Sequence, residues 1–362
     1  MAGRRRKVPA AEPKGSSGGG LDLAGGMGVE HLGDRIARYS AAKQRAVAMR
    51  DYLLGYGAAM RERAAAGLAL DVYHQNLSDH AYLCAGRLRD CGEYLRFRHY
   101  LAVNQVRLQA ACFCKQHLIC PLCAIRRGSK ALQAYLERYQ LIVAEHPHLK
   151  PYLLTFTVRD SDDLEERIKH LQDCFKRLQG RRREWLAGKT WAKFTEFAKV
   201  QGGVGSYEIK RGSGSGAWHP HIHLIALCAV SPDQSALREE WKDITGRLAS
   251  ETDASFIVDV RPLNKHKDPA RDFLEVFKYA VKFSSFSLED NWLAARVLKA
   301  ARLLFSFGLF RGVKVPEKMT DESLDSLPYV DYFYRYLYSA RVYSLSIVDQ
   351  SHSSNSSLVL TE

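Results

Sequence analysis

The sequence predicts an α+β fold built around a largely antiparallel sheet. Three observations carry that expectation. Strand-like and helix-like stretches are mixed along the chain instead of alternating in βαβ order. The clearest strand pair, in "VGSYEIKRGSGSGAWHPHIHLIALCA", is joined by a Gly/Ser-rich turn, as in a hairpin. A 362-residue chain with 46% apolar and 10% aromatic content has the material for a real core.

Taken in order, residues 1–28 combine Arg4, Arg5, Arg6 and Lys7 with "GSSGGG", which predicts a disordered basic tail. Residues 29–83 predict a helical N-terminal region. "RIARYSAAKQRAVAMRDYLLGYGAAMRERAAAG" is rich in Ala, Leu, Arg and Met, with Gly67 as a stop. Residues 84–147 read as a Cys-rich module and a linking helix. "CGEYLRFRHY" and "NQVRLQAACF" alternate as a hairpin does, and residues 128–146 look helical. "PYLLTFTVRD" predicts a strand with Thr155 and Thr157 on one side and Leu154, Phe156 and Val158 on the other. One or two helices are expected over 162–200, with a basic run at Arg181–Arg183, and another over 233–249. "SFIVDVRPL" predicts a strand. "DPARDFLEVFKYAVKF" predicts a helix with Asp268 at its N-cap and Pro269 at N1. A further helix is expected at about 290–306, a helical extension over 313–349 and a disordered tail over 350–362.

Charge narrows the partners. There are 53 basic and 40 acidic residues, a net of +13, which favours nucleic acid or an anionic membrane surface. No run of 18 apolar residues argues for a transmembrane helix, and no apolar segment follows the N-terminal arginines as a secretory signal requires. Eight cysteines in such a chain point to a reducing compartment and to metal ligation.

Three groups of residues carry candidate chemistry. His219, His221 and His223 stand at every second position, so they share one strand face while Ile222 and Leu224 take the other. The hairpin brings Glu208 toward them. Two histidines and a carboxylate with open positions suit a divalent Lewis acid, with Glu208 or His219 as the third ligand. In "EVFKYAVK", Glu275, Tyr279 and Lys282 fall on one helical face, apart from Phe273, Phe277 and Ala280 at core spacing. A phenol becomes a useful nucleophile when a cation lowers its pKa or its target is made more electrophilic. The cysteines come third. Cys120 and Cys123 have the knuckle spacing of a tetrahedral zinc site, with Cys114 and Cys91 as the upstream pair and Cys112 and Cys84 as competitors. His117 is a weaker candidate. A four-sulfur shell leaves no open position, so this Zn²⁺ is expected to be structural. Residues 91–130 hold seven Lys/Arg against one acid, Glu93, which makes Arg126, Arg127 and Lys130 candidate contacts to DNA phosphates.

At these residues the chain resembles a known family, the rolling-circle replication initiators of small bacterial plasmids, within the endonuclease superfamily named for a His-hydrophobic-His motif. "PYLLTFTVRD" resembles the first-strand motif, and "WHPHIHLIAL", with His221-Ile222-His223 as its core, resembles the metal motif. "EVFKYAVKF" resembles the nucleophile motif, and "FCKQHLICPLCAIRRGSK" with the upstream "CGEYLRF" resembles the cysteine region of this branch. The likeness runs from about residue 84 to 345 and leaves residues 1–83 unmatched.

The resemblance implies a catalytic domain over 148–312, an antiparallel sheet of about five strands flanked by helices with the histidines on a central strand. It implies Mg²⁺ or Mn²⁺ at the histidines and nicking of single-stranded or extruded origin DNA through a 5′-phosphotyrosine on Tyr279. Lys282 and Lys278 would neutralise phosphate charge, and Glu275 would act as a base for water. It also implies a bacterial cytoplasmic protein working with a host helicase and polymerase. A single-stranded-DNA transposase or a relaxase would use the same groups. A zinc-containing DNA-binding regulator without catalysis would treat Tyr279 and the histidines as structural. A zinc hydrolase fits less well, because no Glu adjoins the histidines as it does on a zinc-protease helix.

Overall fold

The computed structural model describes residues 31–66, 71–248, 257–263, 273, 276–277, 286–324 and 327–350. The expected tail at 1–28, the expected 350–362 tail apart from Gln350, which ends a strand, the stop at Gly67 and the caps Asp268 and Pro269 lie outside the described residues.

Two long helices open the chain, α1 (Leu32–Ala65) and α2 (Asp71–Asp90). The buried residues of α1 include Tyr39, Ala42, Ala46, Met49, Leu53, Gly57 and Met60, which recur every three or four residues and form one apolar stripe. Gly57 sits where a Cβ would lie 3.0 Å from the Tyr82 ring of α2, and its carbonyl accepts a hydrogen bond from Ser78. The expected hairpin follows as β1 (Tyr94–Tyr100) and β2 (Gln105–Ala111), paired antiparallel, with Asn104 left-handed in the turn. Helix α3 (Pro121–Glu145) starts at the cysteines and has Pro121 in its first turn.

The second half is a five-stranded antiparallel sheet made of β3 (Lys150–Thr157), β4 (Val200–Arg211), β5 (Trp218–Cys228), β6 (Val258–Pro262) and β7 (Leu304–Gly308). The strand order is β6-β3-β5-β4-β7, which puts the histidine strand β5 in the centre. Helices α4 (Leu164–Leu186) and α5 (Gln234–Leu248) cover one face. There Phe156, Ile222 and Leu224 pack with Leu171, Phe175 and Trp241. The other face carries Leu153, Val204, Ile225 and Leu227, in one core with α3 residues and with the helical residues Phe273, Val276 and Phe277. Helix α6 (Leu288–Val297) closes one side through Trp292 and Ala295.

Three expectations need correction. The helix expected over 290–306 ends at Val297, and β7 takes up the following chain. Gly203 and Gly205 of β4 make this possible. A Cβ there would lie 3.0 Å from Phe307 and 2.6 Å from Phe305, so missing side chains on one strand make room for aromatics on the next.

The expected helical extension over 313–349 is instead a strand pair, β8 (Tyr329–Leu337) and β9 (Val342–Gln350). "YVDYFYRYL" is dense in aromatic and β-branched residues, and strand β1 offers it a full antiparallel edge.

The fold therefore has a second sheet, four strands in the order β2-β1-β8-β9, beside the single one expected. It joins residues from both ends of the chain, so 84–147 is not a self-contained module. Helix α2 also runs through the boundary expected at 83/84.

Candidate functional site

Among the described residues, two groups of metal-ligating side chains converge. The first is Cys91, Cys114, Cys120 and Cys123, whose sulfurs all lie within 4.8 Å of one another. The closest separations are 3.5 Å for Cys91–Cys120 and Cys114–Cys123 and 3.6 Å for Cys91–Cys123. A disulfide would need ~2.05 Å. A tetrahedron of sulfurs each ~2.3 Å from a zinc ion has edges of ~3.8 Å, so the donor set and its spacing fit that ion.

The sulfurs come from three pieces of chain. Cys91 directly follows α2, Cys114 follows β2, and Cys120 and Cys123 stand at the N-cap and in the first turn of α3. The buried Lys43 of α1 fixes the Cys91 loop. Its ammonium donates to the carbonyls of Cys91 (2.7 Å) and Arg89 (3.2 Å) and to Glu93 (2.9 Å). At Gly92, φ is +68°, and a Cβ would meet Leu122 at 2.4 Å, so glycine is required. Hydrogen bonds from Cys120, Cys123 and Cys91 pull the Cys114 thiol down in pKa, and the same crowding pushes Cys120 up. Four sulfurs packed this tightly call for a cation to share. The competitors Cys112 (exposed) and Cys84 (buried) stand outside the group. So does His117, pushed down to about 4 by burial and by Arg127.

The second group is Glu208, His221 and His223, again with ligand atoms within 4.8 Å. Glu208 stands directly opposite His221 across the β4–β5 pairing, and Ser206 stands opposite His223. One carboxylate oxygen, Oε2 of Glu208, lies 2.8 Å from Nε2 of both histidines. On the other side Thr157 pairs with His221 and Thr155 with His223, where Oγ1 of Thr155 is 3.3 Å from Nδ1. These residues form a polar patch on one face of the sheet, and its opposite face is core.

Burial raises the Glu208 carboxyl, but hydrogen bonds from His221 and His223 and the charge of Lys210 outweigh it and hold it well below the usual carboxylate range. Burial also holds His221 below its ordinary value despite Glu208. The patch thus offers an ionised oxygen and a neutral imidazole, both in ligand form. Three donors leave coordination positions open, which fits a divalent ion used in catalysis.

The sequence left Glu208 and His219 as alternatives for the third ligand. The fold brings Glu208 to the pair and turns His219 to Asp160, whose carboxylate is 2.5 Å from Nδ1. Sequence reading missed Asp160 and Lys210. Lys210 is two positions from Glu208 on the same strand face and 3.7 Å from its oxygen, a period-two signal that was available.

Of the expected DNA contacts, Arg127 is exposed, but Arg126 is not available to phosphate. It is 1% exposed, donates to the Met319 carbonyl at 2.7 Å and pairs with Asp321 at 2.6 Å. Lys130 is also turned to Asp321, at 3.5 Å. The basic run after the knuckle lies on α3, whose buried face claims Arg126 for an internal ion pair. Glu275, Lys278, Tyr279 and Lys282 lie outside the described residues. Phe273 and Phe277, expected at core spacing, are 1% and 4% exposed and pack on Tyr139 and Tyr135.

A four-sulfur cluster beside an antiparallel sheet with a Glu-His-His patch defines a class: proteins with one closed and one open candidate metal centre. The comparisons with known proteins narrow it. A family model described as "Replication protein" matches residues 105–333. The chain belongs to that family, the plasmid replication initiators its motifs resemble. It is 27% identical over 246 residues to a "Protein rep" of Streptococcus pneumoniae serotype 2 (strain D39 / NCTC 7466), covering 63% of this chain and 70% of that one. It is 26% identical over 254 residues to a "Protein rep" of Bacillus amyloliquefaciens, covering 68% and 66%. A "Protein rep" of Staphylococcus aureus is 24% identical over 215 residues, covering 56% and 84%. No solved structure matches. Among the described residues no helix is long and apolar enough to cross a membrane.

Proposed function

We propose that this replication protein starts rolling-circle synthesis by nicking one strand of origin DNA, single-stranded or extruded as a hairpin. The observation that carries the reading is the Glu208–His221–His223 patch. Phe273, Val276 and Phe277 share a core with Val204, Ile225 and Leu227, which stand on the histidine side of β4 and β5. These three residues belong to the segment expected to bear Tyr279, and their membership of that core supports the reading.

In this mechanism the Tyr279 oxygen attacks phosphorus and the P–O3′ bond breaks. The 5′-phosphate stays on the tyrosine, and the released 3′ oxygen takes up a proton to become the primer hydroxyl. Lys282 and Lys278 neutralise charge on the phosphate. Glu275 takes a proton from the water that later cleaves the phosphotyrosine, so termination needs no second tyrosine. Glu208, His221 and His223 would hold Mg²⁺ or Mn²⁺, which supplies Lewis acidity at the scissile phosphate. The cysteine cluster would hold Zn²⁺ as a structural ion. His219, held by Asp160, would contact DNA beside the patch, and the exposed Arg127 would contact phosphate from the start of α3. A bacterial cytoplasmic setting, with a host helicase and polymerase to extend the primer, belongs to the same reading.

The test is incubation of the full chain with Mn²⁺ and a pool of single-stranded oligonucleotides, followed by peptide mass spectrometry. The expected result is a DNA adduct on the Tyr279 peptide that Tyr279→Phe abolishes. Tight binding with no adduct would sink this reading and favour a DNA-binding regulator.

A further inference from the structure

The end of α4 and the loop after it expose an unusual set of side chains. Trp185 is 40% exposed, Leu186 56%, Trp191 69% and Phe194 57%. Large apolar residues exposed singly are ordinary, but a contiguous group marks a binding surface. Here the group is mainly aromatic. Trp185 and Phe194 meet edge to face with centroids 5.4 Å apart, and the Lys189 ammonium lies 5.5 Å from the Trp191 ring.

Cations are interleaved with the rings. Arg183, Lys189 and Lys193 are all exposed, against Glu184 alone among the exposed acids of residues 183–194. The two preceding arginines belong to the fold. Arg181 pairs with Asp243 and Glu240, while Arg182 donates to the Val200 carbonyl and lies over the Phe307 ring.

We propose that residues 183–194 form a stacking platform for single-stranded DNA. Exposed rings beside exposed cations are what such a strand needs, because every base has a π-face and every nucleotide a phosphate. A protein partner would call for an apolar centre depleted of charge, and this surface is threaded with positive charge. The platform is separate from the Glu208 patch. It adjoins Val200, at the far end of β4 from Glu208, about 25 Å away along the strand. It also lies with α4 on the side of the sheet away from the histidines. A strand held there is gripped away from the nick, so the inference does not depend on the nicking chemistry.

The chain itself supplies the readout. Its other tryptophans, Trp218, Trp241 and Trp292, are at most 3% exposed, so quenching by added DNA reports on Trp185 and Trp191. Oligothymidylate titrated into the full chain at fixed moderate salt should quench that emission. Trp191→Leu should weaken binding on the order of tenfold, while Trp191→Phe, which keeps a ring, should retain most of it. Both should form the Tyr279 adduct on a short oligonucleotide as the parent does. Tyr279→Phe should lose the adduct and keep the quenching, so the two readings fail separately. Absence of quenching, or equal affinity of Trp191→Leu and the parent, would overturn the platform. If replication in cells is lost while DNA affinity stays intact, the surface docks a protein and the proposal is wrong.

Discussion

The two sheets are assembled in opposite ways. The five-stranded sheet draws all its strands from residues 150–308, and its central pair is a hairpin. The four-stranded sheet pairs β1 with β8, joining Tyr94 to Arg335 and Tyr100 to Tyr329. Closing a loop that long costs more chain entropy than closing a hairpin. The long-range sheet is also the one with cross-links. The cysteine cluster ties α2, β2 and α3 together. Asp321, just before β8, accepts from Arg126 (2.6 Å), Arg35 (3.2 Å) and the Leu108 amide (2.7 Å). The local sheet is held by pairings between neighbouring strands, and one of its faces carries the Glu208–His221–His223 patch. Strong internal bonds thus stand where the chain must be brought together, and available ligands where it already is.

The sharpest way to break that contrast is to dismantle the four-cysteine candidate centre. Cys123→Ser, or a strong chelator, should remove a contribution on the order of 10 kcal/mol and unfold the four-stranded half. Circular dichroism and metal content would show it, and an unchanged melting curve would refute the clamp.

Next comes the buried ion pair. Arg126→Ala leaves Asp321 without its closest cation and should cost about 3–5 kcal/mol in urea unfolding. Burial raises the Asp321 carboxyl, but Arg126 and Arg35 beside it win and hold it well below the ordinary range. A depressed carboxylate contributes stability that is full above its unfolded pKa of ~3.9 and is lost as pH falls. Asp321→Asn should therefore be less stable than the parent at neutral pH, and the gap should close on acidification below about pH 4. A gap that widens in acid would contradict this sign.

At the open candidate centre, Glu208→Gln should lower adduct formation by about 10²-fold or more while the zinc content expected at the four cysteines stays that of the parent. Loss of both ions together would mean the two centres are not independent. Smaller still, His219→Ala should change the adduct rate less than tenfold, because His219 stands outside the ligand trio. The smallest effect is that of Arg127→Ala, within about 0.5 kcal/mol in stability. Its DNA affinity should show a shallower salt dependence by about one ion.

Much of the candidate site was legible in the sequence because its signals are local. Alternating histidines, a Gly/Ser turn and a CxxC spacing fix faces and neighbours within a few residues. Thr155 and Thr157 were read onto one face of β3 for the same reason, and they line the histidines. Reading stopped where the partner was remote. Nothing near Arg126 announces Asp321, so a buried arginine looked like a phosphate contact. Nothing near "YVDYFYRYL" announces that β1 has a free edge, so the segment's strand propensity has no visible partner in the sequence. The choice between Glu208 and His219 needed cross-strand register, which a flexible-looking turn does not reveal.

The return of residues 329–350 to the cysteine half has a practical consequence for anyone trimming this protein. Stopping the chain at 312 would strip β1 of β8, one of its two neighbours, and Arg126 of its counter-ion at one stroke. Cutting after α3 is no remedy, because that helix shares the core of the histidine face and its Tyr135 and Arg138 bond to Ser306 and Leu309, so a shortened chain should keep α3.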